Sequence, residues 1–169
     1  MPPNLDIYGL TDDRSMDAVW RFASLYVARE EFERPWGVSL IHDNVPGADL
    51  KAPDLRSALQ TGLNDTACRF SLYLKTKNPN KIYGAIISFT QDGKLILGLS
   101  VDVAEGGDAQ LKQAERLLGE LRSEHGCRLG FVMCEEPPPA DEVKFREAIK
   151  QAAGGKEPLP VFSLTGPDE

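Results

Sequence analysis

Between Lys81 and Cys134 the spacing of apolar residues changes twice, and each change marks an element boundary. Alternating apolar positions up to Phe89 meet a second alternating run, Leu95, Leu97, Leu99, Val101 and Val103, across Asp92-Gly93. Asp-Gly between two such runs predicts a β-hairpin with a two-residue type I′ turn, which needs positive φ at both central positions. If Gln91 faces Lys94, the leucine face shares its side of the sheet with Thr90, Ser88, Ile86, Gly84 and Ile82. The opposite face then pairs Phe89 with Ile96, Ile87 with Gly98, Ala85 with Ser100 and Tyr83 with Asp102. That row of small residues predicts close packing there, by a helix rather than a ligand.

After the hairpin, Leu111, Ala114, Leu118, Leu121 and His125 recur at steps of three and four, so residues 108–125 predict a helix stopped by Gly126. Residues 127–134 are mostly apolar and predict a further strand. Strand, helix and strand make a right-handed crossover, with the strand after the helix expected alongside and parallel to 95–103. On that strand Cys127 and Cys134 would point to opposite faces.

Upstream, residues 5–10 predict a short strand leading into a helix that runs to about residue 29, with Thr11 or Asp12 as N-cap. At roughly 100° per residue, Met16, Val19, Trp20, Phe22, Ala23, Leu25, Tyr26 and Val27 sweep an apolar arc of about 220°. One sheet face cannot cover that arc. Either the segment 30–51, with Phe32, Trp36, Leu40 and Ile41, shields the flank of Phe22 and Leu25, or those two residues form a homodimer interface. Residues 38–42 predict a strand, 54–63 a helix, 70–76 a strand and 140–153 a last helix following Pro137-Pro138-Pro139.

Together these elements predict one mixed α/β domain over residues 1–155. Its sheet is mixed and mostly antiparallel, with five or six strands, the Asp92–Gly93 hairpin, one βαβ crossover, and helices packed mainly on one face. Residues 156–169 form a C-terminal tail, a candidate edge strand whose pairing Pro158 and Pro160 restrict. A chain of 169 residues buries roughly 70% of its unfolded surface, so neither disulfide nor metal is required for stability.

Charge narrows the partners. Lys and Arg number 19 against 26 Asp and Glu, a net −7, which opposes nucleic acid, because phosphate binding draws on clustered cations. Lys75, Lys77 and Lys81 are the only local basic cluster and read as a solvated strand end and turn. Cys68, Cys127 and Cys134 have no CxxC spacing and predict neither a disulfide framework nor a zinc site. Residues 1–7 lack a basic region followed by an apolar core, and no apolar run approaches the ~20 residues of a membrane span, which predicts a soluble cytoplasmic protein.

The candidate site lies where the crossover would set two strand ends side by side. Asp102, Glu105 and Asp108 come from one loop, and Glu135 and Glu136 from the other. Solvated loop charges are the bland reading of this group; an acidic partner-binding patch or a metal or acid-base site are the alternatives. Gly106-Gly107 lacks a P-loop or G-x-G-x-x-G context and reads as a link. Cys134 is the best-placed thiol, but His125 belongs at the far end of the crossover, a strand length of ~20 Å away; there its protonated ring would favour the helix dipole. His42, beside Asp43, is the other imidazole. No HExxH, GxSxG or repeated ligand spacing occurs, so no catalytic residue, metal ligand or cofactor is assigned.

Three classes of function follow. The first is a non-enzymatic, acidic protein-binding module for a basic partner, with the general character of an immunity-type inhibitor of a basic toxin or nuclease. The second is an enzyme using the carboxylates with a divalent metal, or Cys134 as nucleophile. The third is a homodimeric regulatory or structural protein built on Phe22 and Leu25.

Overall fold

The computed structural model describes residues 4–33, 38–42, 50–67, 69–102 and 107–163, with backbone alone for 38–42, 50 and 51. In chain order its elements are β1 (Asn4–Thr11), α1 (Met16–Tyr26), α2 (Arg29–Phe32), β2 (Val38–His42), β3 (Leu50–Ala52), α3 (Leu55–Asn64), β4 (Phe70–Leu74) and β5 (Gly84–Phe89). Then follow β6 (Leu95–Asp102), α4 (Asp108–Ser123), β7 (Leu129–Cys134), α5 (Glu142–Gly154) and β8 (Val161–Ser163). The strands form one sheet in the order β3-β2-β4-β5-β6-β1-β7-β8. The mixed α/β class and the antiparallel character of the sheet are as expected from the sequence.

The strand count among the described residues is eight rather than five or six, and every neighbouring pair is antiparallel. β6 and β7 run in the same direction, as the crossover requires, but they are not neighbours. β1 lies between them, with Leu5 opposite Val101 on one side and Cys134 on the other. Its burial explains the placement: from Leu5 to Thr11 every residue is buried, as in a strand at the centre of a sheet. β8 pairs with β7, so the chain beyond residue 155 joins the sheet as its edge.

The hairpin differs by one residue from the expected register. Thr90 faces Lys94, with the Thr90 amide donating to the Lys94 carbonyl at 3.2 Å and the Lys94 amide donating to Thr90 Oγ1 at 2.8 Å. The loop is therefore Gln91-Asp92-Gly93, and only Gly93, at φ +80°, takes the left-handed conformation. A three-residue loop closed by a left-handed glycine replaces the type I′ turn. The slip moves every partner across the sheet. Leu95, Leu97 and Leu99 stand opposite Phe89, Ile87 and Ala85, while Ile96, Gly98 and Ser100 stand opposite Ser88, Ile86 and Gly84.

One sheet face carries Leu5, Ile7, Leu72, Ile87, Phe89, Leu97, Leu99 and Val132 and is covered by α1, α3 and α4. The other carries Tyr8, Leu10, Ile86, Ile96, Leu129 and Phe131, and here Phe145 and Ala152 of α5 supply the cover. Helices thus occupy both faces, with α1, α3 and α4, and α2 through Phe32, on one and α5 on the other. The side chain of Ser15 caps α1 by accepting from the Ala18 amide at 3.1 Å, in place of Thr11 or Asp12, and the helix ends at Tyr26. Capping by Asp54 and Asp141 starts α3 and α5.

The broad arc of α1 is covered largely within the chain. Phe22 is fully buried, which removes it from the expected interface; only Leu25 of that pair is exposed, at 52%. Trp20 meets Phe32 with ring centroids 5.2 Å apart, and His125 packs at 5.5 Å from Phe22 and 5.6 Å from Tyr26. His125 is therefore a buried ring packed among aromatics rather than an exposed one set at the α4 terminus. Burial, with a smaller push from Arg21, holds its pKa below the usual histidine value, and neither ring nitrogen has a hydrogen-bond partner among the described residues. No helix among them is long and apolar enough to cross a membrane.

Candidate functional site

Because α5 covers only the β7 side of the second face, the part built from β4, β5, β6 and the start of β1 opens as a cleft of about 850 Å³. Asp6 and Tyr8 of β1, Ser100 of β6, Ile86 of β5 and Tyr73 of β4 line it, together with Tyr83, Lys75 and the turn Glu135-Glu136-Pro137 after β7. The small residues expected to admit a helix admit a side chain instead. A Cβ on Gly98 would stand 2.7 Å from the Tyr8 ring, so glycine lets that ring lie against β6.

From this position the Tyr8 hydroxyl donates to the Glu136 carbonyl at 2.6 Å. Asp6 lies beside it, only 8% exposed; its Oδ1 accepts from the Ser100 hydroxyl at 2.5 Å and its Oδ2 from the Glu136 amide at 3.0 Å. The Glu135 amide donates to the Asn4 carbonyl at 3.1 Å. Three bonds from β1 residues thus hold a turn in which Glu135 adopts φ +50°, a left-handed conformation that costs a non-glycine residue roughly 1 kcal/mol. Such a residue persists where its surroundings over-determine it.

The electrostatics follow from that packing. Burial pushes the Asp6 carboxyl above its ordinary value, the bonds from Ser100 and Glu136 pull it back, and the charges of Glu135 and Glu136 push it up again. Burial, with the neighbouring Asp6, also raises the Tyr8 phenol. Tyr73 and Tyr83 remain 51% and 56% exposed at the cleft. The cleft shares Lys75, Pro79 and Tyr83 with a hollow of about 590 Å³ toward Arg29 and Glu30, and Glu136 and Pro137 with one of about 340 Å³ toward Pro139 and Lys144.

Of the five acids singled out in the sequence, Glu135 and Glu136 come together here. Asp102 is exposed at the end of β6 opposite Asn4; with β1 interposed, its strand lies two spacings from β7, about 10 Å. Asp108 is exposed in the first turn of α4, where Gly107, not Asp108, occupies the N-cap. Glu105 lies outside the described residues, as does Cys68.

No group of three or more His, Cys, Asp or Glu among the described residues is arranged to hold a metal ion. Cys134 is exposed at the end of β7, and His42 of β2 is five strand positions away, about 24 Å along the sheet, which separates that pair. Cys127 precedes β7 rather than lying on it and packs against Gly9, where burial pushes its thiol up to about 12. Sequence reasoning missed Asp6, Tyr8 and Ser100 as site residues. The available signal was Asp6 itself, an acid within the otherwise apolar run Leu5 to Tyr8. Comparison of the chain with known protein families, with curated proteins and with solved structures finds no match.

Proposed function

We propose that the protein is a non-enzymatic binding module that engages a basic protein through this cleft, in the manner of an inhibitor directed against a basic toxin or nuclease. The observation that carries the reading is the conjunction of two half-exposed tyrosines with Glu135 and Glu136 on an uncovered part of the sheet. Tyrosine is enriched among the residues that dominate binding energy, since it brings large contact area at small entropic cost. Carboxylates at the margin accelerate encounter with a basic partner and exclude acidic ones. Asp102, exposed at the end of β6 opposite the cleft residue Asn4, is a more peripheral contributor. A cytoplasmic location fits the reading, because a reducing interior keeps Cys127 and Cys134 as the thiols they are in the fold.

The test is capture from extract of the native host, with bound proteins identified by mass spectrometry, for the unaltered protein and a Glu135→Lys/Glu136→Lys variant. Retention of a basic protein by the former and its loss from the latter, at unchanged melting temperature, is the expected result. The same basic protein held equally by both overturns the proposal.

A further inference from the structure

We infer that the cleft receives an arginine side chain of the partner, its guanidinium lodged over Asp6 between Tyr83 and the turn at Glu135 and Glu136. This rests on the proposed binding function and adds the chemical group that is bound. Three carboxylates and one ammonium, Lys75, line the cleft, so its own charge calls for a cation. Asp6 sits at its floor, and each of its oxygens accepts one described hydrogen bond, from Ser100 or from Glu136. A carboxylate offers about four acceptor positions, so the described bonds leave acceptor capacity on both oxygens.

Guanidinium supplies a forked donor, since its paired N–H groups match the two oxygens of a carboxylate, whereas an ammonium meets them as a point charge. Its flat face also stacks on an aromatic ring and is more weakly hydrated than an ammonium, so it loses less on leaving water for a half-buried slot. Tyr83, 56% exposed, presents such a ring at the cleft. Tyr8 and Ser100 act as positioning residues, one by holding the Glu136 carbonyl and the other by orienting Asp6.

The probe is the peptide acetyl-Gly-Arg-Gly-amide, compared with its lysine and citrulline counterparts, titrated into the isotopically labelled full chain while the amide signals of Ser100 and Glu136 are followed by NMR. Saturable shifts of both amides with the arginine peptide are expected. The citrulline peptide, isosteric and uncharged, should bind at least about tenfold more weakly, and Tyr83→Ala should weaken the arginine peptide about threefold, the size of an exposed cation–π contact. Absence of shifts at those amides, equal binding of the lysine or citrulline peptide, or full binding by Tyr83→Ala overturns the inference. If capture of a basic protein is still lost in Glu135→Lys/Glu136→Lys while the arginine peptide fails, the binding function stands and the guanidinium site falls.

Discussion

Asp6 occupies a place where a neutral side chain would be more comfortable. Its carboxyl is held above the ordinary value by burial and by Glu135 and Glu136, so the folded protein prefers it protonated more than the unfolded chain does. Stability from this group is therefore greatest below the unfolded value of 3.8 and is lost as pH rises through the folded value; at neutral pH the penalty is present in full. Asn at this position can still accept from the Glu136 amide and donate to Ser100. Asp6→Asn is expected to raise the melting temperature at pH 7 by a few degrees, with the difference from the unaltered protein shrinking as pH falls toward 4. Thermal unfolding across that range measures it, and a variant less stable at pH 7 would show that the negative charge itself supports the fold. Local stability given up at a cleft is the pattern of a site retained for binding. The acids at Glu135 and Glu136 were legible in the sequence, but the burial of Asp6 was not, because its partners Ser100 and Glu136 are 94 and 130 positions away.

At the scale of elements, α5 is fastened to the sheet by charge as well as by Phe145. The Arg128 guanidinium, just before β7, bridges Asp12 after β1 and Glu142 in the first turn of α5, and Lys94 of the hairpin joins Asp12 at 2.6 Å. Hydrogen bonds from Arg128 and then Lys94 bring the Asp12 carboxyl down to about 2, and Glu142 is likewise lowered by Arg128. Stability from this network is present above the ordinary carboxylate values and fades as pH drops through the lowered ones. The groups are partly exposed, so Arg128→Ala should cost only about 1 kcal/mol. Hydrogen exchange should quicken in α5 while β5 and β6 stay protected; uniform exchange would detach the network from α5. The ends of α3 and α5 could be read closely because Asp54 and Asp141 cap locally. Hairpin register was misread because Asp-Gly serves both a two-residue turn and a three-residue loop, and the Thr90 side chain, which bonds Lys94 and Asp92, selects the longer. The insertion of β1 between β6 and β7 escaped because period and spacing describe neighbours in sequence, whereas that pairing joins residues 84 or more positions apart.

Across the whole molecule, the arrangement of α1 to α4 on one face and α5 on the other decides which apolar residues are interior. Phe22 belongs to the covered face and Leu25 to the solvent side of the same helix. Phe22→Ser should lose more than about 3 kcal/mol, the cost of emptying a buried phenylalanine site, and so lose folding near ambient temperature. Leu25→Ser should leave both the melting temperature and the sedimentation coefficient unchanged. A fall in sedimentation coefficient with Leu25→Ser at constant stability would instead assign that helix face to self-association. The position of β1 also sets an order of assembly during synthesis. β1 has both of its sheet neighbours later in the chain, so it lacks those partners until residues 95–102 and 129–134 have been made. Asp6 and Tyr8 travel on that strand, so the pocket they line cannot take shape before the chain as far as Pro137 has been made.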